Sequence, residues 1–317
     1  MTSKPEDIAR RMDSLGLWDE LERCNWALKL KGVVLPYFCT VIKGDASDPV
    51  RVRFLLIEGW QTLHDYIHWR MDANFGCMVS PAEMPMYCLA FYRDGALRIF
   101  RHDSGYVPRE TGESESALLS RMLWQAYGVM MRLENEKDLP MRYASGQAMF
   151  ARVETADGKW EDAPLEIPAP RPYVEKIVLS KEDVKRAQDI PFVAGDSLEL
   201  DFRVVPGIMT DEKRPRSVYV LMAIDGTSGK CVFSRPVSIG AEGGIKALWE
   251  ALAANVLKEL VALGKIPGQI KLSSARTFRM LRPICVEVPL KLSLHDSLPV
   301  LDAAFASIKV LPARPRA

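Results

Sequence analysis

The sequence predicts a two-domain protein of mixed α+β and α/β class, with an N-terminal α+β domain over residues 1–170 and a C-terminal domain with a mixed sheet over residues 171–317. Three observations lead there. The chain has 317 residues, and a domain usually takes ~100–200 residues. Prolines at 164, 168, 170 and 172 mark an extended linker near the middle. The stretch from Ser197 to Ala306 reads as three strands and a helix, then strand and helix in alternation, which is the order of a mixed sheet with covering helices.

Taken from the start, Pro5 to Leu30 reads as helical, with Ile8, Met12, Leu15, Trp18, Leu21 and Trp26 apolar and Gly16 as an interruption. Val52 to Ile57 is a strand that Glu58-Gly59 turns into a helix over Trp60–Met71, whose apolar stripe is Trp60, Leu63, Ile67 and Met71. Met86 to Phe100 is a hairpin turned at Arg93-Asp94-Gly95, because Asp-Gly between apolar runs favours a tight turn. Glu115 to Leu133 is the longest helix of this half. Its rows Leu119, Leu123, Tyr127, Met131 and Leu118, Met122, Ala126, Met130 make one wide apolar face. A second hairpin, Gln147 to Glu154 and Lys159 to Leu165, turns at Asp157-Gly158.

Beyond the prolines, Val174 to Leu179 is a short strand, and Ser180 caps a helix whose third residue is Asp183. Leu198 to Val204 alternates apolar and polar residues, as a half-exposed strand does. Val218 to Ile224 is an unbroken apolar run closed by Asp225-Gly226-Thr227-Ser228-Gly229, the pattern of a strand covered on both faces. Cys231 to Ser238 returns from that turn. Over Ala247 to Leu263, Leu248, Leu252, Val256 and Leu260 form one row, and Trp249, Ala253, Leu257 and Val261 form the next. That helix closes at Gly264 and Pro267. The remaining elements are a strand over Gln269–Ser273, a helix over Ala275–Leu281, a strand over Ile284–Val288 and a helix over Val300–Ile308.

Composition narrows the function classes. With 42 basic and 41 acidic residues the net charge is +1, so nothing global draws the chain to nucleic acid or to a membrane surface. Composition names no partner, and a protein is among those it leaves open. The six cysteines, at 24, 39, 77, 88, 231 and 285, contain no Cys-x-x-Cys pair, which leaves reduced and mostly buried thiols. Met1 to Glu20 lacks an apolar core of signal-peptide length, and no apolar run approaches the ~18 residues of a membrane span. A cytoplasmic protein is expected.

Two sets of side chains merit a chemical reading. His64 and His68 lie at i and i+4 within His64-Asp65-Tyr66-Ile67-His68, the spacing that puts two zinc ligands on one helix face in His-Glu-x-x-His peptidases. Asp65 is one methylene shorter than the glutamate base of such enzymes. No third ligand is evident beyond His102 or Asp72, so boundary histidines are the expected reading and a zinc hydrolase the alternative. No Gly-x-Gly-x-x-Gly, Walker or Gly-x-Ser-x-Gly motif is present, and no cofactor is indicated. The pair Gly243-Gly244 opens a helix as a flexible start.

The pattern Arg214-Pro215, apolar strand, Ile224-Asp225-Gly226-Thr227-Ser228-Gly229, then Leu263-Gly264-x-x-Pro267-x-x-Ile270, then Leu298-Pro299-Val300-Leu301-Asp302-Ala303-Ala304 resembles an uncharacterised bacterial family of unknown function. In that family the domain commonly follows a second domain of unknown function, which Gly105-Tyr106-Val107-Pro108 and the helix after it resemble. The order of elements in the C-terminal part also resembles the ribonuclease H-like fold of integrases and transposases. That resemblance implies two metal ions held between carboxylates from the first strand, the end of the fourth strand and a late helix. Asp201 fits the first place and Asp302 the third. The fourth-strand place falls on Ser273 or Ser274, whose hydroxyls cannot supply the charge of a bridging carboxylate. Asp225, at a hairpin, reads as a turn residue. The expectation is a non-catalytic binding or interaction protein with a degenerate ribonuclease H-like domain. The alternative is a metal-dependent nuclease or phosphoryl-transfer enzyme using Asp201, Asp225 and Asp302.

Overall fold

A computed structural model describes residues 3–22, 24–71, 83–143, 147–171, 175–209, 214–240 and 244–308, with the backbone alone for 206–209. The chain divides into two compact units. The first comprises residues 1–66, 84–103 and 108–171, and the second residues 67–83, 104–107 and 172–317. No helix among the described residues is long and apolar enough to cross a membrane. Both units are mixed α/β structures built on an open sheet.

The first unit opens with α1 (Pro5–Leu15). Gly16, at φ 68°, ends it in the left-handed conformation that only glycine adopts without strain. After α2 (Trp18–Leu21) the chain becomes extended as β1 (Trp26–Lys29), so the expected helix to Leu30 stops early. Trp26 is buried from a strand rather than from a helix. Strands β2 (Tyr37–Lys43) and β3 (Val50–Glu58) follow, then α3 (Trp60–Met71) over the predicted residues. The buried side of α3 is Thr62, Leu63 and Tyr66, whereas Met71 is largely exposed, so the predicted apolar stripe is rotated. The hairpin of β4 (Met86–Tyr92) and β5 (Leu97–His102) turns at Asp94-Gly95 as expected. It is followed by β6 (Arg109–Glu110), α4 (Glu113–Leu133), β7 (Ala148–Glu154) and β8 (Trp160–Glu166).

These strands form one sheet in the order β6-β5-β4-β3-β2-β1-β7-β8, antiparallel throughout except where β1 and β7 run parallel. One face, with Trp26, Leu28, Cys39, Val41, Phe54, Leu56, Leu89 and Phe150, packs on Ile8 and Met12 of α1 and on Leu119, Met122, Leu123, Ala126 and Met130 of α4. The period-two alternation of β3 puts Phe54 and Leu56 on that face. Pro164 lies within β8, an edge strand, where a missing N–H costs no ladder bond. The chain after β8 is held to the first turns of α3, since Arg171 donates its backbone N–H to Gln61 Oε1 (2.9 Å).

The second unit contains α5 (Lys181–Asp189), β9 (Phe192–Met209), β10 (Arg216–Asp225), β11 (Cys231–Val237), α6 (Gly244–Glu250) and α7 (Leu252–Leu263). It continues with β12 (Ile266–Leu272), α8 (Ala275–Leu281), α9 (Ile284–Glu287), β13 (Lys291–Leu294) and α10 (Pro299–Ala306). Ser180 caps α5 through the Asp183 N–H, as its sequence implied. Two strand expectations fail. Residues 175–179 form no strand, and Val174 lies outside the described residues. Ile284–Glu287 is a helical turn, with the strand displaced to Lys291–Leu294.

The sheet order is β11-β10-β9-β12-β13, with β9, β10 and β11 antiparallel and β12 and β13 running parallel to β9. Its two faces are covered by different helices. Leu198, Leu200, Phe202, Tyr219, Leu221 and Ala223 pack on Trp249, Ala253, Val256, Leu257 and Leu260 of α6 and α7. Val205, Val220, Met222 and Ile224 pack on Leu301 and Phe305 of α10. The apolar run in β10 is therefore buried on both sides, which is why it carries no polar alternation.

Candidate functional site: a carboxylate closed by arginine

Alternation along β9 brings the site together. Leu200 and Phe202 point to α6 and α7, so Asp201 and Arg203 share the opposite face with α10. Asp201 is buried, with 2% of its surface exposed. A carboxylate there needs a full set of donors and a compensating charge, and the fold supplies both. Oδ1 accepts from the Phe202 N–H (2.8 Å) and the Thr277 hydroxyl (3.2 Å), and Oδ2 accepts from the Ser273 hydroxyl (2.7 Å) and Arg203 Nε (2.8 Å). Ser273 follows the end of β12, and Thr277 lies in the first turn of α8, which Ser274 caps through the Thr277 N–H.

Arg203 is the centre of this arrangement. Its Nη2 donates to Ser273 Oγ (2.9 Å) and pairs with Asp302 Oδ1 (2.7 Å), and its guanidinium lies 4.8 Å from the centre of the Phe305 ring. Burial lowers the guanidinium's affinity for its proton, but the charges of Asp201 and Asp302 outweigh that, so it is held above its usual range. Asp302 also accepts from the Leu298 N–H (3.2 Å) at the start of α10, where a negative charge is favoured by the helix dipole. Asp201 and Asp302 are thus held at one place, joined through an arginine. Arg203 and Thr277 were the residues that sequence reasoning missed. The available signal was the i, i+2 spacing of Asp201 and Arg203 on one strand.

This donor set does not fit a pair of divalent ions. Both oxygens of Asp201 are engaged, a cationic group lies between Asp201 and Asp302, and the place at the end of the fourth strand of the sheet is held by a hydroxyl. Asp225 stands apart, at the β10–β11 turn, where its Oδ1 accepts from the N–H groups of Thr227 (3.0 Å) and Ser228 (2.6 Å). Those bonds, Ser228's first, hold its carboxyl below the usual range. Arg216, a conceivable partner for Asp225, donates instead to the Ile239 carbonyl. Asp225→Asn is expected to move the urea midpoint far less than substitutions in the core. A loss as large as that of a buried aromatic residue would contradict the turn role.

The histidine pair gathers no third ligand among the described residues. Among the described residues no three His, Cys, Asp or Glu side chains gather as metal ligands. His64 Nε2 lies 3.0 Å from the Pro168 carbonyl oxygen, His68 is exposed, and Asp72 lies outside the described residues. His102, at the end of β5, is pulled down to about 4 by burial and by the Arg101 charge. A histidine whose folded pKa falls below its ordinary value of 6.5 supports folding fully above 6.5 and loses that contribution as the pH falls towards 4. Urea midpoints at pH 7 and pH 5 are expected to drop further for the wild type than for His102→Gln. An equal drop would contradict burial of His102 in its neutral form.

Residues 183–309 match the model of a family described as "Domain of unknown function (DUF6930)". The C-terminal part is therefore similar to an uncharacterised family, in line with the motifs from Arg214 to Ala304. No curated protein and no solved structure matches the chain.

Proposed function

We propose that this protein is a non-catalytic binding or interaction protein, and that its second unit is a ribonuclease H-like domain whose carboxylate site is degenerate. The fold reading is supported by the sheet order β11-β10-β9-β12-β13, three antiparallel strands followed by two parallel ones, with helices between the later strands. The single observation that carries the functional reading is the Arg203 guanidinium between Asp201 and Asp302, with Ser273 bonded to both Arg203 and Asp201. A fixed internal cation supplies the charge compensation that nuclease chemistry would take from metal ions. The even balance of charge, 42 basic against 41 acidic residues, favours a protein partner over nucleic acid. The scattered cysteines favour a cytoplasmic setting.

The competing reading, a metal-dependent nuclease or phosphoryl-transfer enzyme, needs Asp201, Asp225 and Asp302 to act together. Incubating the protein with manganese and single- or double-stranded DNA or RNA distinguishes the two. No cleavage is expected across this panel. Cleavage that disappears in Asp201→Ala would overturn the non-catalytic reading.

A further inference from the structure

The second unit holds a second buried charge, far from Arg203 in sequence and of different construction. Arg276 of α8 is 5% exposed, and its Nη1 donates to Glu83 Oε2 at 2.7 Å. The other carboxylate oxygen, Glu83 Oε1, accepts from Trp249 Nε1 (3.1 Å) and from the Tyr219 hydroxyl (3.3 Å). Glu83 itself is 4% exposed. Burial pushes its carboxyl up, against the pull of Arg276, Trp249 and Tyr219.

The three donors come from three elements, β10, α6 and α8, and they are held independently of the carboxylate they meet. The Arg276 guanidinium lies 3.8 Å from the centre of the Trp249 ring. Phe202 stacks on Tyr219 at 5.3 Å and meets Trp249 edge-on at 5.0 Å. Such packed aromatic rings, one pair stacked and one edge-on, restrict the positions of Nε1, the hydroxyl and the guanidinium. All three donors lie within residues 183–309, the segment similar to the uncharacterised family. Glu83 lies outside that segment.

A further contact from outside the family-matched segment accompanies it. The Ser104 hydroxyl donates to the Glu83 carbonyl. Gly105 accepts from the Ser217 N–H (3.0 Å), and the Val107 N–H donates to the Pro215 carbonyl (3.1 Å), so that residues 105–107 pair with the start of β10. Only glycine fits at 105. Its φ is +80°, and a Cβ there would lie 2.8 Å from Ile239 Cγ2. Gly105, Tyr106 and Val107 of that motif thus have a structural role inside the second unit.

We propose that Tyr219, Trp249 and Arg276 form a carboxylate-binding socket of the second unit, and that Glu83 is its resident ligand, supplied in cis from outside the family-matched segment. Its ligand class is an acidic side chain that offers one oxygen to the guanidinium and the other to the indole and phenol donors. This socket does not depend on the reading of Asp201 and Arg203, and it can fail or stand without it.

Removing the resident carboxylate should leave a vacancy that a free one fills. In the full-length chain, Glu83→Ala deletes the carboxylate and a methylene, a space the size of acetate. Thermal melting of the wild type, of Glu83→Ala and of Glu83→Ala with Arg276→Met is compared in sodium acetate and in sodium chloride of equal ionic strength. The single variant is expected to melt below the wild type in chloride. Its midpoint should then rise with acetate concentration, as binding to the folded state alone requires, while the wild type and the double variant show no acetate-specific rise. Should Glu83→Ala not fold in chloride, its refolding yield from urea in acetate against chloride is read instead, and a higher yield in acetate is expected. Equal behaviour of Glu83→Ala in the two salts, or a wild-type midpoint in chloride, would overturn the proposal.

Discussion

Trp249→Ala is expected to be the most damaging single substitution in the second unit. Trp249 is 5% exposed and packs against Phe202 of β9. Truncating a buried aromatic residue typically costs ~3–5 kcal/mol through lost transfer energy and the cavity left behind. Two further losses push the effect to the upper end. Glu83 Oε1 loses the indole N–H, and the Arg276 guanidinium loses the ring it lies against. Both groups are buried, so neither recovers water as a partner. Against the ~5–15 kcal/mol total of a typical domain, such a loss would leave the unit marginal. Urea melts followed by the far-ultraviolet signal measure it. Leu221→Ala, buried on the same face of β10, is the cavity control at ~2–5 kcal/mol. A Trp249→Ala effect within the ~0.5 kcal/mol of ordinary surface changes would contradict the packing described.

Arg203→Met is expected to come next, for an electrostatic reason. The substitution keeps most of the apolar stem against Phe305 but removes the cation beside a carboxylate that is 2% exposed. Breaking a buried ion pair from one side usually costs ~3–5 kcal/mol because the remaining charge is uncompensated. The Arg203 side chain is 30% exposed, and Asp201 keeps its bonds to Phe202, Ser273 and Thr277, so the lower end, ~3 kcal/mol, is expected. Adding Asp201→Asn should recover much of the loss, since a neutral amide tolerates burial far better than an unpaired carboxylate. Additive losses in the double variant would show that the two residues do not form a pair.

Much of the fold was legible because hydrophobic period and local chain stops agree in most elements. Val218–Ile224 has no polar alternation, and the structure covers it with α7 on one side and α10 on the other. Trp60–Met71 and Ala275–Leu281 match their predicted bounds, each opened by a recognisable turn or cap, Glu58-Gly59 and Ser274. Misreadings arose where an apolar run is too short for periodicity to decide between helix and strand. Ile284–Val288 is such a run, and with Pro283 before it the chain takes one helical turn. Trp26 fits a helical spacing from Trp18 and Leu21, yet the chain after α2 is extended and pairs with β2 and β7. The partner strand β7 lies more than a hundred residues on, which no local pattern reveals.

The two buried charge sites differ in the same way. Asp201 and Arg203 stand two residues apart, and the rule that a buried carboxylate requires a cation was enough to connect them once β9 was placed. Glu83 stands 136 residues from Tyr219 and 193 from Arg276. It follows no motif and precedes a strand of the other unit, so only tertiary structure joins it to its donors.

The Arg203-centred closure of the Asp201 and Asp302 carboxylates is tested most directly by calorimetric titration of the intact protein with magnesium and with manganese. With the guanidinium bonded to Asp201, Ser273 and Asp302, neither ion is expected to show saturable binding at this end of the sheet. Tight binding of two ions per chain, lost together in Asp201→Ala, would contradict the account.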